Sequence, residues 1–170
     1  MERSLARWLP DGKRVVFAAL EAGRQMRLYL HDLGSDRPVP LTPEGVDGSW
    51  AISPDGWSIA AQLSGSPIRI YDTNGSAPRD VPGLTGRDTP VGWIVDGLLV
   101  MHRDEVASRL GEIYTVDINT GRQSSWKNIL PRDPAGFLSL VGFRVTPDGR
   151  SHAYAWARAL SDLYLADGLT

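Results

Sequence analysis

His102-Arg103-Asp104 is the first place in this chain where residue type and spacing suggest chemistry. The triplet matches the catalytic loop of phosphoryl-transfer enzymes, in which the Asp accepts the substrate's hydroxyl proton. That chemistry also needs an Asn five positions beyond the Asp, and Arg109 stands there instead. Glu105 and Val106 follow the triplet, and neither a Gly-rich phosphate loop nor an Asp-Phe-Gly occurs anywhere. The adjacent acids Asp104 and Glu105 make a poor acid/base couple, because neighbours on extended backbone point apart. The three histidines, His31, His102 and His152, lack the local spacing of a zinc site. With no cysteine and no Gly-x-Ser-x-Gly, thiolate and nucleophile-elbow chemistry are unsupported too. The sequence therefore predicts no catalytic set, no metal site and no cofactor.

What positions these residues is a repeat. Alternating apolar runs, an Asp-Gly turn and a second run ending in Asp recur four times. The turns are Pro10-Asp11-Gly12, Pro54-Asp55-Gly56, Val95-Asp96-Gly97 and Pro147-Asp148-Gly149, with their aspartates 44, 41 and 52 residues apart. The second runs end at Asp32, Asp72, Asp117 and Asp167. Strands repeating at about forty residues are the signature of β-propeller blades. The expected fold is all-β: a propeller segment of about four blades of antiparallel strands, the last incomplete, forming an open or partial ring. Blades are expected at about 3–47, 48–88, 89–138 and 139–170.

Within each blade, strands a to d run outward from the axis. Strand a is expected at 3–9, 48–53, 89–94 and 139–146, and strand b at 14–20, 58–63, 97–103 and 151–157. Strand c is the run ending in Asp, and strand d falls at 38–42, 79–84 and 123–129. The strand-ending aspartates are read as turn caps rather than calcium ligands, since one recurs in every blade. His102 falls at the same strand-b position as Phe17, Ala61 and Tyr154, and His152 at a packed position. Trp8, Ile52, Trp93 and Val145 share one parity in strand a with Ala6, Trp50, Val91 and Phe143, so both sets should pack blade on blade. The six tryptophans are expected in the core.

Strand direction sorts the loops. All a–b and c–d turns lie on one rim, and all b–c loops and d–a connections on the other. The second rim collects the irregular segments 21–25, 43–47, 64–67, 86–88, 104–111 and 131–136. Variable loops on a rigid repeat are where binding concentrates. The polar candidates there are Arg87, Asp88, Asp104, Glu105, Arg109, Arg132 and Asp133.

Lys and Arg number 18 against 20 Asp and Glu, so no strong field draws nucleic acid. No apolar run nears the ~20 residues that span a bilayer, and the amino terminus lacks a signal-peptide core. The expected partner is a protein, peptide or small ligand on the variable rim. Fourth strand d is absent from the pattern, so a second copy could also complete the ring.

Ile52-Ser53-Pro54-Asp55-Gly56-Trp57-Ser58-Ile59-Ala60, followed by Ile68-Arg69-Ile70-Tyr71-Asp72, resembles the TolB-type propeller repeat. The stretch from Val145 to Tyr154 and on through Leu160-Ser161-Asp162-Leu163-Tyr164-Leu165-Ala166-Asp167 resembles the carboxy-terminal end of bacterial proteins that join a serine/threonine kinase to such a propeller. The resemblance implies a non-catalytic sensor or interaction module, with the kinase domain upstream. The alternatives it leaves open are a propeller attached to a prolyl-oligopeptidase-like hydrolase and a TolB-like envelope protein.

Overall fold

A computed structural model describes residues 6–102, 112–129, 131–133 and 135–161. Among these described residues, fourteen strands form four antiparallel sheets. The first sheet runs β1 (Ala6–Trp8), β2 (Arg14–Ala19), β3 (Arg27–Asp32), β4 (Val39–Pro40). The second runs β5 (Val46–Ile52), β6 (Ser58–Leu63), β7 (Ile68–Asp72), β8 (Arg79–Asp80). The third runs β9 (Asp88–Ile94), β10 (Gly97–His102), β11 (Glu112–Val116), β12 (Gln123–Asn128), and the fourth pairs β13 (Phe137–Val145) with β14 (His152–Arg158). Each sheet is a blade whose strands neighbour in chain order, as the repeat predicts. Asp104, Glu105 and Arg109, the start of the first strand a, and the expected last strand c with Asp167 lie outside the described residues. Among the described residues no helix is long and apolar enough to cross a membrane.

The Asp-Gly turns hold their shape through their own carboxylates. Asp11 accepts the Lys13 and Arg14 N–H groups at 2.8 and 3.1 Å. Asp55 accepts Trp57 N–H at 2.9 Å, and Asp148 accepts Arg150 N–H at 3.0 Å. Among the strand-ending aspartates, Asp32 caps Gly34 and Asp117 caps Asn119 and Thr120. Asp72 differs: it binds Ser58 Oγ at 2.7 Å and Arg79 at 2.9 Å, tying the second and fourth strands of its blade to the third.

Apolar residues on the blade faces meet in three clusters. Leu9, Val16 and Leu28 of the first blade pack on Trp50, Ile59 and Tyr71 of the second. Ala60, Ile68 and Ile70 of the second meet Leu98, Val100 and Val116 of the third. Ile94, Leu99 and Ile113 of the third meet Phe143 of the fourth. Each large side chain buried this way stabilises by roughly 1.5–3 kcal/mol. Trp126 and His152 extend the last contact as an edge-on ring pair 5.5 Å apart, so His152 is indeed a packed position.

The core expectation holds for Trp50, Trp93 and Trp126 and fails for Trp8, Trp57 and Trp156. Trp8 has the repeat position of Ile52 and Trp93, yet is 59% exposed because no described blade covers that face of β1. Trp57 sits at a turn, 58% exposed, with the Arg14 guanidinium over its ring.

The loops segregate as strand direction requires. On one rim, Val95 N–H bonds the Pro147 carbonyl at 2.9 Å, joining the a–b turns of adjacent blades. On the other, b–c loops bond d–a connections: Arg24 with Glu44, Ser64 with Gly45, Arg158 with Asp133, and Ala159 with Gly136.

Candidate functional site

A cleft of about 470 Å³ lies at the boundary of the second and third blades, running from His102 and Glu112 near the irregular rim to Val116 and Gln123 beside the c–d turn. Its lining comes from the connection between those blades (Gly83, Thr85, Asp88) and from one face of the third blade: Val100 and His102 on β10, Glu112, Tyr114 and Val116 on β11, and Gln123 on β12. Val100 and Val116 belong to the apolar cluster beneath. The surface the cleft presents is mainly polar, and its volume falls in the usual range for ligand clefts.

The connecting segment is held from behind. Gln62, 1% exposed, donates from Nε2 to the Ser66 carbonyl at 3.0 Å and the Gly86 carbonyl at 2.8 Å. Thr85 then turns back on Asp88, its N–H and hydroxyl both donating to Oδ2, at 2.6 and 2.9 Å. The other oxygen, Oδ1, lies 2.7 Å from His102 Nδ1. Because a carboxylate only accepts, Nδ1 carries the proton of this bond, and Nε2 is the imidazole's remaining polar atom. Nearby, the Tyr114 hydroxyl donates to Glu112. Among the described residues the lining holds two carboxylates and neither Lys nor Arg. Chemically it offers acceptors to a donor-rich or cationic group.

Of the residues predicted for this rim, Asp88 lines the cleft, 6% exposed and at the start of β9. Arg87 beside it is exposed. Arg132 and Asp133 lie on the next connection, where Asp133 caps Ala135 and pairs with Arg158 at 3.7 Å. Among the described residues no hydrogen bond or ion pair joins these two groups. Thr85, His102, Glu112, Tyr114 and Gln123 were not among the predicted site residues. The available signal was His102, a polar residue where the other blades carry Phe17, Ala61 and Tyr154. Among the described residues no group of three His, Asp or Glu is placed to hold a metal ion.

No protein-family model matches this chain, and no curated protein sequence does. Solved structures do. TolB from Acinetobacter baumannii superposes with a TM-score of 0.63 at 20% identity, over 92% of this chain and 38% of that one. A protein assigned as TolB from Agrobacterium tumefaciens gives 0.61 at 22% identity, over 89% and 52%. A prolyl endopeptidase gives 0.55 at 15% identity, over 91% of this chain and 25% of its own. An oligogalacturonate lyase, in complex with manganese, gives 0.51 at 16% identity. At these identities the likeness concerns architecture: the chain is a TolB-like β-propeller in fold. It spans less than two thirds of the length of the TolB proteins it matches.

Proposed function

We propose that this chain is a non-catalytic binding module, a propeller segment that holds a basic side chain of a protein or peptide in the cleft between its second and third blades. The observation that carries the reading is the cleft lining: Asp88 and Glu112 with His102, Tyr114 and Gln123 and, among the described residues, no Lys or Arg. An amine or guanidinium would be matched by the Glu112 carboxylate. The likeness to TolB proteins supports a propeller used for interaction, and the short coverage of those proteins supports a place within a larger one. In that larger protein the sequence resemblance proposes a serine/threonine kinase domain upstream. The likeness to a prolyl endopeptidase favours the alternative of a propeller beside a hydrolase domain.

The test is an NMR titration of the chain with N-acetyl-lysine amide, N-acetyl-arginine amide and N-acetyl-glutamate. The basic probes should shift the His102 and Tyr114 resonances in a saturable way, and Glu112→Gln should abolish most of the effect. Equal response to the acidic probe, or none to any, would overturn the reading.

A further inference from the structure

We infer that the basic side chain enters the cleft on an extended peptide, which adds as a fifth strand to the outer edge of β12. The inference rests on the cleft reading above and names the form its partner takes. β12 is the outermost strand of the third blade, and among the described residues no strand pairs with its far side. The Asp117 N–H donates to the Arg122 carbonyl at 3.0 Å, which makes these two a hydrogen-bonded pair. Antiparallel ladders alternate, so Ser124, opposite Thr115, also turns its backbone groups toward β11. Gln123 and Ser125, opposite Val116 and Tyr114, turn their N–H and C=O groups outward. Both residues are exposed.

The outer edges of the first two blades are blunted. β4 and β8 have two residues each, against six in β12. β4 contains Pro40, which has no N–H to offer. In β8, Arg79 and Asp80 are tied back to β7 by ion pairs with Asp72 and Arg69, at 2.9 and 2.6 Å. Short, charged and Pro-bearing edges resist pairing, whereas a longer bare edge invites it. β12 is also held in place from the side. Trp126 packs edge-on against Phe143 and His152 of the fourth blade, with ring centroids 6.1 and 5.5 Å apart.

Edge and cleft are continuous. Gln123 lies on β12 and lines the cleft, and Ser125 shares its face two residues on. Tyr114, opposite Ser125, and Glu112 continue that face on β11. An added strand would run about 4.8 Å outside β12, with every second side chain projecting over this face. It would stand roughly 10 Å from β11. A short side chain there stops at β12, while the long stem of Lys or Arg carries its charge past the small Ser125 toward Glu112. Main-chain bonds would thus supply affinity, and the acidic cleft the choice of side chain.

The experiment titrates the ¹⁵N-labelled chain with the blocked heptapeptide Thr-Val-Thr-Lys-Thr-Val-Thr, its Lys-to-Glu counterpart and N-acetyl-lysine amide. Hydrogen exchange at the Gln123 and Ser125 amides is the readout. The lysine peptide should slow exchange at both and bind about tenfold or more tightly than the single residue. Two versions of it, N-methylated at alternate residues in the two possible frames, should differ in affinity by a similar factor. Only one frame blocks the donors that face β12. If the peptide shifts His102 and Tyr114 but leaves exchange at Gln123 and Ser125 unchanged, strand addition is overturned and the cleft reading stands. Equal affinity of the two methylated frames would overturn strand addition as well. The same protection from the glutamate peptide would overturn the link between edge and cleft, leaving an unselective edge.

Discussion

Asp88 and His102 oppose each other directly across β9 and β10, with the Asp88 carboxylate 2.7 Å from the His102 imidazole. They meet only because the register slips. Pairing runs Ile94 with Gly97, Trp93 with Leu98 and Gly92 with Leu99, then passes over Val91 to resume at Pro90 with Val100. That one unpaired residue is a β-bulge, and it moves everything beyond it along by one. In regular pairing His102 would face Thr89, and the acid would lie one position off. The bulge also turns Val91 toward the cluster shared with the fourth blade, away from the parity of Trp93.

Asp88 should therefore matter more to folding than an ordinary rim acid. It is nearly buried and takes both Thr85 donors besides the imidazole. Asp88→Ala leaves those donors without a partner and should cost about 1–3 kcal/mol in urea unfolding. A double-mutant cycle with His102→Ala should return a coupling of about 0.5–3 kcal/mol. Additive effects would mean the pair does not hold in solution.

Trp50 and Trp8 test which blade faces are covered. Trp50 is 2% exposed and packed between the first two blades, so Trp50→Ala should cost about 3–5 kcal/mol. Trp8→Ala, at 59% exposure, should fall within about 0.5 kcal/mol. Comparable losses in the two variants, measured by chemical unfolding, would show that the outer face of the first blade is also packed.

Much of this architecture could be read from the residues, because turn chemistry and period-two alternation are local. Arg14–Ala19, Ser58–Leu63 and Ile68–Asp72 fall where those patterns put them. The face of Trp8 was equally readable, but whether a neighbouring blade covers it is not a local property. The cleft was harder. His102 reads as a strand residue, which it is, and nothing in Pro90-Val91-Gly92 announces that the strand gains a residue there. Glu112 and Tyr114 join the site from another strand, at a register that only the folded sheet sets.

Acid should weaken the fold through its turn and loop carboxylates. The Lys13 and then Arg14 donors hold the Asp11 pKa down to about 2, and Arg24, Arg27 and the Gln25 N–H hold Glu44 down to about 2. Hydrogen bonds led by Ser53, by the Thr120 N–H and by Thr146 lower Asp55, Asp117 and Asp148 as well. Below the ordinary carboxylate range the unfolded chain binds more protons than the folded one, so stability rises with pH there. The contribution is complete above about pH 4.5 and is lost as pH falls toward about 2. Thermal unfolding midpoints should drop across that window, and Glu44→Gln should flatten the drop. A midpoint independent of pH there would contradict these bonds.

Gly12 and Gly56 occupy the same turn position in successive blades, with φ of 66° and 75°. Both conformations disfavour a side chain, so Ala at either position should cost roughly 1–2 kcal/mol. Their surroundings differ. A Cβ on Gly12 would meet nothing within 4 Å, whereas one on Gly56 would come within 2.7 Å of Pro10 Cδ. Pro10 belongs to the turn of the preceding blade, so Gly56 is where two turns nest. Overpacking there should add about 1–3 kcal/mol. Gly56→Ala should thus be clearly less stable than Gly12→Ala in urea. In the Gly56→Ala, Pro10→Ala double variant, removing the ring should recover part of that excess. Equal losses in the two single variants would mean that the first two blades do not touch through their turns.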